Sequence, residues 1–326
     1  MRRRWMFWVE LFSIREAATS LALFRIALGS VLLYALVSAA AWEVVDVVWL
    51  HSDHGGMRVV HGNWFLKLFG GTTPGVVWTM WTIALVSCLL FVTGALGPIG
   101  HRIATLILLQ SYNALITINP YASGGYDLLL TNALWIMVFA DSHAAISLWA
   151  RRHPERAGSV TALAWPRYVL IFQLLLMYGM TGVQKTSITW SPGGGYSALY
   201  YVTQDPTWIR WPVGEWSAWL SPVWSVATAM TWHWEHLSPL LLLWFYCRYT
   251  REKDGRLRRW VLRWDWRYPW AAIGFGMHLG ILILLNVGPF SWISLSYYLL
   301  LWRPEEWRRF GSWLRAKEFA PSWPGS

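Results

Sequence analysis

Several apolar stretches in this sequence are long enough to cross a lipid bilayer, and they constrain the fold more than any other feature. A transmembrane helix needs about 20 mostly apolar residues. The chain has 326 residues, of which 56% are hydrophobic and 13% are charged, whereas a soluble domain carries roughly 25% charged residues. The sequence therefore predicts an all-α fold, a polytopic helical bundle integral to a membrane.

Eight transmembrane helices are predicted along the chain. They cover about residues 17–41, 75–96, 102–118, 127–149, 165–186, 222–249, 269–286 and 289–302. The last stretch is short enough for a tilted or re-entrant helix. The first follows three arginines, as a signal peptide would, but Arg25 interrupts it and no small-residue cleavage site follows, so we expect this helix to be retained. The 28 tryptophans fit aromatic belts at the two membrane interfaces.

Lysine and arginine are distributed very unevenly between the two predicted sides. With the N-terminus in the cytoplasm, the inside segments carry 21 of these residues and the outside segments carry three. Cytoplasmic loops of membrane proteins hold such an excess. We therefore expect a cytoplasmic N-terminal segment at 1–16, a transmembrane domain at 17–302 and a basic cytoplasmic tail at 303–326. The expected location is the inner membrane of a bacterium.

Lys185 is the most informative single residue, because it lies at the outward end of the fifth predicted span. An ammonium group near hydrocarbon tends to be paired, to line a wet cavity or to perform chemistry. A lysine that loses its charge through desolvation is also a strong base. The alternative is that its long stem lifts the ammonium to the headgroups. Because the long segments 42–74 and 187–221 face the same side, we expect a site on the outer face.

Other polar residues inside the predicted spans leave alternatives open. Arg25 is favoured as a structural cation, whose side chain either extends inward to the interface or pairs with a neighbouring helix, over a functional one. Glu235, with His233 and His236, is expected to face the bundle interior, because lipid-facing charges are costly. The two histidines form either a metal pair or, as we favour, part of a hydrogen-bonded core. His278 is either a satisfied core histidine or a functional one.

Further patterns favour structural roles. Asp127 is expected to cap the fourth span, and the loop His51–His54 is expected to be a solvated turn rather than a metal site. Cys88 and Cys247 fall on different predicted helices, which argues against a disulfide. No dinucleotide, phosphate-loop or nucleophile-elbow pattern is found, and we expect no metal. The basic segment 248–268 is expected to contact anionic lipid rather than nucleic acid.

Several blocks occur in an order that is similar to a known family. They are Leu23 to Gly29, Tyr178 to Lys185 followed by Trp190, Glu235 to Pro239, and His278 to Ser291. Together they resemble the HTTM family, the membrane module shared with vitamin K-dependent gamma-glutamyl carboxylase, over roughly residues 17–302. The resemblance implies a membrane-embedded helical domain.

The resemblance also implies a chemistry. In the carboxylase, a base deprotonates reduced vitamin K, which reacts with oxygen to give a stronger base; that base removes a proton from a glutamate gamma carbon, and carbon dioxide adds. Lys185 falls where the family has its catalytic base, and His278 resembles a late-helix histidine that stabilises anionic intermediates. The implied residues for binding a reduced, vitamin K-like quinone are Tyr178, Trp190, Glu235 and His236.

Two classes of function remain open. The first is a quinone-dependent, carboxylase-like enzyme with Lys185 as base. The second is a non-catalytic membrane protein that binds lipid or quinone, or supports a partner complex or transport. The carboxylase has a large lumenal domain after its helices, whereas this sequence ends at Ser326 in a basic tail, so carboxylation of a whole protein substrate is not the expected reaction. A transporter is less favoured, because the sequence has no paired broken helices in repeated halves.

Overall fold

A computed structural model describes residues 2–157, 161–250 and 252–318 of the chain. Parts of the predicted tail (319–326) and of the predicted inner segments (158–160 and Arg251) lie outside the described residues. The described chain is mostly α-helical. Its helices are α1 (Arg2–Ser13), α2 (Thr19–Ala41), α3 (Val44–Trp49), α4 (Trp64–Lys67), α5 (Pro74–Thr93), α6 (Pro98–Ile116), α7 (Gly125–Val138), α8 (Leu148–Arg152), α9 (Pro154–Ala157), α10 (Trp165–Gln184), α11 (Ala198–Val202), α12 (Gly214–Ser217), α13 (Ser221–Leu237), α14 (Leu240–Tyr249), α15 (Arg256–Leu262), α16 (Arg267–Leu284), α17 (Phe290–Tyr298) and α18 (Pro304–Glu318).

Two short strands correct the wholly helical prediction. Strand β1 (Arg15–Ala17) pairs antiparallel with β2 (Thr161–Leu163). Strands of three residues are too short to leave an alternating pattern in the sequence, which is why they were not predicted. The chain divides into two compact units: unit 1 is Met1–Leu170 with Leu299–Ser326, and unit 2 is Ile171–Tyr298.

The core of unit 1 is built on α2, α5, α6 and α7. Helices α2 and α5 approach closely at Gly29, where an added Cβ would lie 2.6 Å from a methyl carbon of Val92. Proline in the first turn favours the start of both α5 and α6. Gly94 ends α5 in the left-handed region at φ 56°, a conformation that glycine adopts without steric cost.

The N-terminus of α7 is held as the sequence predicts. The Asp127 carboxylate accepts from the backbone N–H of Gly124 at 2.7 Å and from the Tyr112 hydroxyl at 2.5 Å. An acidic side chain in this position satisfies a free N–H group and interacts favourably with the helix dipole. The predicted capping role of Asp127 is confirmed.

The buried Arg25 binds the chain beyond α7. Its side chain is 0% exposed, and it donates to the carbonyl oxygens of Ser142 at 2.5 Å and Ile146 at 2.6 Å. Arg25 is therefore held inside the protein by the chain that follows α7, which agrees with the pairing alternative. The predicted span 127–149 is also corrected: α7 ends at Val138, and the following backbone leaves the helix, so that its carbonyls turn towards the guanidinium.

Unit 2 is organised around two stacked tryptophans. The rings of Trp234 in α13 and Trp270 in α16 lie 4.8 Å apart, and the Trp234 indole N–H donates to the Trp270 carbonyl oxygen at 2.9 Å. Gly274 allows this packing, because an added Cβ would lie 2.1 Å from the Tyr298 hydroxyl and 2.5 Å from the Trp234 ring. Aromatic packing and a close backbone approach thus join α13, α16 and α17.

The predicted span 222–249 is two helices in the structure. Helix α13 ends at Leu237 and α14 begins at Leu240, because Pro239 lacks the N–H that would continue the helical ladder. The predicted span 289–302 likewise becomes α17 followed by a 3-10 turn, Leu299–Leu301.

Two helices, α2 and α5, are both long and apolar enough to cross a membrane by length and composition. The two cysteines, Cys88 and Cys247, are buried and free, as predicted.

Candidate functional site

Lys185 lies just beyond the end of α10 and forms an ion pair with Glu235 of α13. The lysine side chain is 19% exposed and the glutamate side chain is 7% exposed. The ammonium also lies over the Trp190 ring, 4.9 Å from its centroid, at a distance where a cation is attracted by the aromatic face. The amine is thus shielded from water and held by Glu235 and Trp190, two residues that the sequence also assigns to this site.

Two glycines one turn apart bring α10 close enough to α13 for this pair to form. An added Cβ at Gly182 would lie 3.0 Å from the backbone nitrogen of His236, and one at Gly179 would lie 2.5 Å from the ring of Pro239. Small residues let helix backbones approach closely. Lys185 follows Gly182 by three residues, so its amine emerges beside the point of closest approach.

Trp190 is positioned by a short turn and the glycines that follow it. The 3-10 turn Ile188–Trp190 ends where the backbone N–H of Ser191 donates to the Ile188 carbonyl oxygen at 3.0 Å. An added Cβ at Gly194 would lie 2.4 Å from that same oxygen, and Gly195 has φ +64°. The glycines therefore supply backbone freedom to a turn.

His278 lies in a different cluster from Lys185. Its Nε2 shares a hydrogen bond with the Tyr178 hydroxyl at 2.5 Å, and its Nδ1 shares one with the Ser291 hydroxyl at 3.2 Å. Both His278 and Tyr178 are fully buried, at 0% and 1% exposed. Tyr178, the partner of His278, lies seven residues before Lys185, about 10 Å of helix rise. His278 and Lys185, the two candidate catalytic residues, therefore bond with different partners.

The two clusters are linked through α13. The ring of Trp234 packs edge-on against the Tyr178 ring at 4.5 Å, and Glu235 is the next residue along the helix. The aromatic core that holds Tyr178 and His278 therefore also fixes the helix that carries the partner of Lys185.

The histidines that flank Glu235 point in different directions. His236 Nδ1 bonds with the Trp232 carbonyl oxygen at 2.7 Å, whereas His233 is exposed and its Nε2 bonds with the Tyr196 hydroxyl at 3.0 Å. The expectation that all three ionisable groups face the interior is wrong for His233, because residues two apart on a helix point about 200° apart. The histidines bond separately, and the described residues contain no group of three or more potential metal ligands.

The loop at the other predicted outer segment is a capped turn. His51 Nδ1 accepts from the backbone N–H of Asp53 at 3.1 Å at the start of a 3-10 turn, Ser52–His54. Local side-chain bonds of this kind are typical of solvated turns, in agreement with the favoured interpretation.

A cavity of about 790 Å³ in unit 2 was not predicted from the sequence. It lies among α13, α14, α15 and α16, and its lining includes His233, Trp234, Trp244, Trp260, Trp266 and Trp270. Among the described residues that line it, neither Lys185 nor Glu235 occurs. Cavities of this size hold small organic ligands or their apolar tails. Its only sequence signal is the density of tryptophan in this part of the chain.

The chain matches the family model described as the HTTM domain over residues 15–251. The matched range includes Lys185, Trp190 and Glu235, and it ends before His278. No curated protein and no solved structure matches the chain. The family match covers well over half of the sequence, and the HTTM domain is a membrane domain. The chain therefore belongs to the HTTM domain family and is a membrane protein.

Proposed function

We propose that this HTTM protein takes a proton from a lipid-soluble hydroquinone at Lys185, in a quinone-dependent reaction of the carboxylase type. The observation that supports this is the Lys185 amine, four-fifths shielded from water and paired with the buried Glu235. A partly desolvated lysine is a suitable base for a weakly acidic hydroxyl.

The ion pair allows the amine to lose its charge locally. When the proton of Nζ moves to the Glu235 carboxylate, the pair stays neutral as a whole and Nζ gains a free lone pair. That lone pair then accepts the proton of a phenolic hydroxyl, whose O–H electrons remain on the oxygen. Trp190 covers the ammonium so formed, because a cation is attracted to its ring face.

The residues present fit a hydroquinone by their chemistry. An amine and a carboxylate can accept its hydroxyl protons, and the Trp190 ring beside the amine offers an aromatic face to the quinone ring. The tryptophan-lined cavity of about 790 Å³ is separate from these residues, and its apolar lining suits a lipid tail. A reduced quinone, when bound, supplies the oxygen-dependent step that makes a stronger base. In this proposal Tyr178 and His278 maintain the aromatic packing behind Glu235, and His236 supports the helix that carries it.

We further propose eight spans with both termini in the cytoplasm, in a bacterial inner membrane, and the Lys185 site at the outer face. The 21-to-3 asymmetry of Lys and Arg supports this arrangement. Helices α2, α5, α6, α10 and α16 have 23, 20, 19, 20 and 18 residues, close to the length that spans hydrocarbon. Membrane lipids are the proposed partners of the basic segment 248–268.

One observation favours a second candidate function. Lys185 forms an ion pair with Glu235. Its positive charge can therefore serve to stabilise the fold even if the protein catalyses no reaction. The protein would then bind a lipid or quinone without turnover, and any cation able to pair with Glu235 would suffice at position 185.

The two candidates differ in their response to Lys185→Arg. Arginine keeps the positive charge but does not give up its proton in proteins. We expect Lys185→Ala and Lys185→Arg both to slow oxygen-dependent oxidation of a reduced naphthoquinone by about 100-fold or more, as loss of a general base does. The measurement uses the purified full chain in lipid nanodiscs, with thermal unfolding as the check of folding.

The control is Lys67→Arg, an exposed lysine in another predicted outer segment, which should oxidise the quinol at the parent rate. If Lys185→Arg also retains that rate, Lys185 is not the base. If Lys185→Arg binds the quinol, and neither this variant nor the parent protein oxidises it, the protein is the non-catalytic binder.

A further inference from the structure

Arg25 stands apart from the other buried arginines of the described chain in having no carboxylate partner. Arg167, 1% exposed, is held by both oxygens of Glu16 at 2.6 and 2.9 Å, and Arg267 is paired with Asp265 at 2.6 Å. Arg25, at 0% exposed, contacts only backbone carbonyls, and no acidic side chain among the described residues forms an ion pair with it.

The nearest acidic group along the segment that Arg25 binds is already neutralised. Asp141 immediately precedes Ser142, whose carbonyl Arg25 contacts, but its carboxylate accepts from Arg102 at 2.8 Å. With neutral histidines, the cluster of Arg25, Arg102 and Asp141 therefore carries one net positive charge. A buried charge without a counter-charge is strongly unfavourable.

Two buried histidines complete this cluster in unit 1. His101 is 0% exposed and His143 is 1% exposed, and their rings lie 5.4 Å apart. His101 Nε2 bonds with the Ser142 hydroxyl at 3.0 Å. Among the described side chains, Nε of Arg25, Nδ1 of His101 and both ring nitrogens of His143 are buried without a hydrogen-bond partner. Buried polar groups in proteins are almost always hydrogen-bonded, so one such atom on the Arg25 guanidinium and three on the neighbouring histidines point to a ligand.

We infer that Arg25, His101 and His143 bind a small monovalent anion, of the chloride or bicarbonate class. One negative charge balances the cluster, and such an ion accepts hydrogen bonds from the Arg25 Nε–H and from the N–H groups of the histidines. The ligand must be small, because the cluster is closely packed: an added Cβ at Gly94 would lie 2.9 Å from a terminal nitrogen of Arg25 and 2.7 Å from Cβ of Ser147. This site is independent of the function proposed at Lys185.

The test is thermal unfolding of the purified full chain in detergent, in chloride, bicarbonate or gluconate at constant ionic strength. A ligand that binds the folded state raises Tm with its concentration. Chloride or bicarbonate should raise Tm saturably by about 5 °C, while gluconate, which is too large for the cluster, should have no effect. An unchanged Tm in all three salts would overturn the inference and leave water as the partner of these atoms.

Three variants separate the site from a general salt effect. His143→Phe loses no side-chain hydrogen bond of the described structure, so it should fold but no longer respond to the anion. In Arg25→Gln, too, the anion should no longer raise Tm. If Arg25→Gln does not fold, the result for His143→Phe is sufficient to test the site. Arg151→Gln, an exposed arginine on α8, should respond as the parent does. A full response in His143→Phe, or a loss in Arg151→Gln equal to that in His143→Phe, contradicts the site.

Discussion

At the scale of single residues, Lys185 and Glu235 depend on each other. Two charges shielded from water are each costly, and their attraction offsets that cost only while both are present. The glutamate is the more buried partner, at 7% exposed. Removing the lysine therefore leaves a buried carboxylate whose charge nothing compensates. The pair is therefore a sensitive point for stability as well as the proposed site of proton transfer.

Breaking the pair from one side should destabilise the protein more than removing it altogether. We expect Lys185→Met to lower the free energy of unfolding by about 3 kcal/mol, because it leaves a buried carboxylate without a partner. The double variant Lys185→Met with Glu235→Met should recover most of this loss. Reversible unfolding of the three proteins in mixed detergent measures the effect. A double variant less stable than the single one would show that the pair is not the interaction that matters.

The sequence predicted these two residues as important but not that they pair. A charge inside an apolar stretch is visible locally, because its cost depends on its immediate surroundings. Its partner lies 50 residues away, and their meeting depends on how α10 packs against α13. For the same reason the sequence indicated that His233 faces inward, whereas the structure has it bonded to Tyr196.

At the scale of elements, helix contacts in unit 2 are set by a few glycines. Helix α16 carries Gly274, Gly276 and Gly280 within two turns. An added Cβ at Gly274 would meet Tyr298 and Trp234, whereas Gly276 and Gly280 have nothing within 4 Å. Only one of the three glycines is therefore required for packing against the neighbouring helices.

This difference gives a matched test on one helix. Gly274→Ala should lower the unfolding free energy by about 1–3 kcal/mol, because inserting a methyl group into a packed contact forces side chains to shift. Gly276→Ala should raise it by about 0.5–1 kcal/mol, because alanine is the better helix former where space is open. Equal effects of the two substitutions on Tm would contradict the close packing of α16 against α13 and α17.

The bounds of the elements were less predictable than their existence. The predicted span 222–249 combines two helices, and Pro239 is the local mark of the break between α13 and α14. The end of α7 at Val138 has no such mark, and the carbonyl oxygens of Ser142 and Ile146 in the segment that follows accept from Arg25 of α2. A contact with a side chain more than 100 residues away is not visible in the local sequence.

At the scale of the whole molecule, the cations fall into two groups. Of the cations inside the predicted spans, Arg167 is paired with Glu16 and Lys185 with Glu235, whereas Arg25 donates to carbonyl oxygens and has no carboxylate partner among the described residues. Most of the others lie outside the predicted spans, and their excess on one predicted side supports the proposed orientation. Composition alone predicts that the chain is a membrane protein, because this prediction does not require knowing which residues contact each other. The cavity of unit 2 was not predictable, because it exists only where four helices meet.

The proposed orientation makes a direct prediction about labelling in intact cells. Ser52 and Ser312 are both exposed, and the proposed topology has them on opposite sides of the membrane. We expect Ser52→Cys to react with a membrane-impermeant maleimide in whole cells, and Ser312→Cys to react only after lysis. The parent chain is a suitable control, because its two cysteines are buried and should remain unlabelled. Labelling of Ser312→Cys in intact cells, or of both positions from outside, would contradict cytoplasmic termini and with them an outward-facing Lys185.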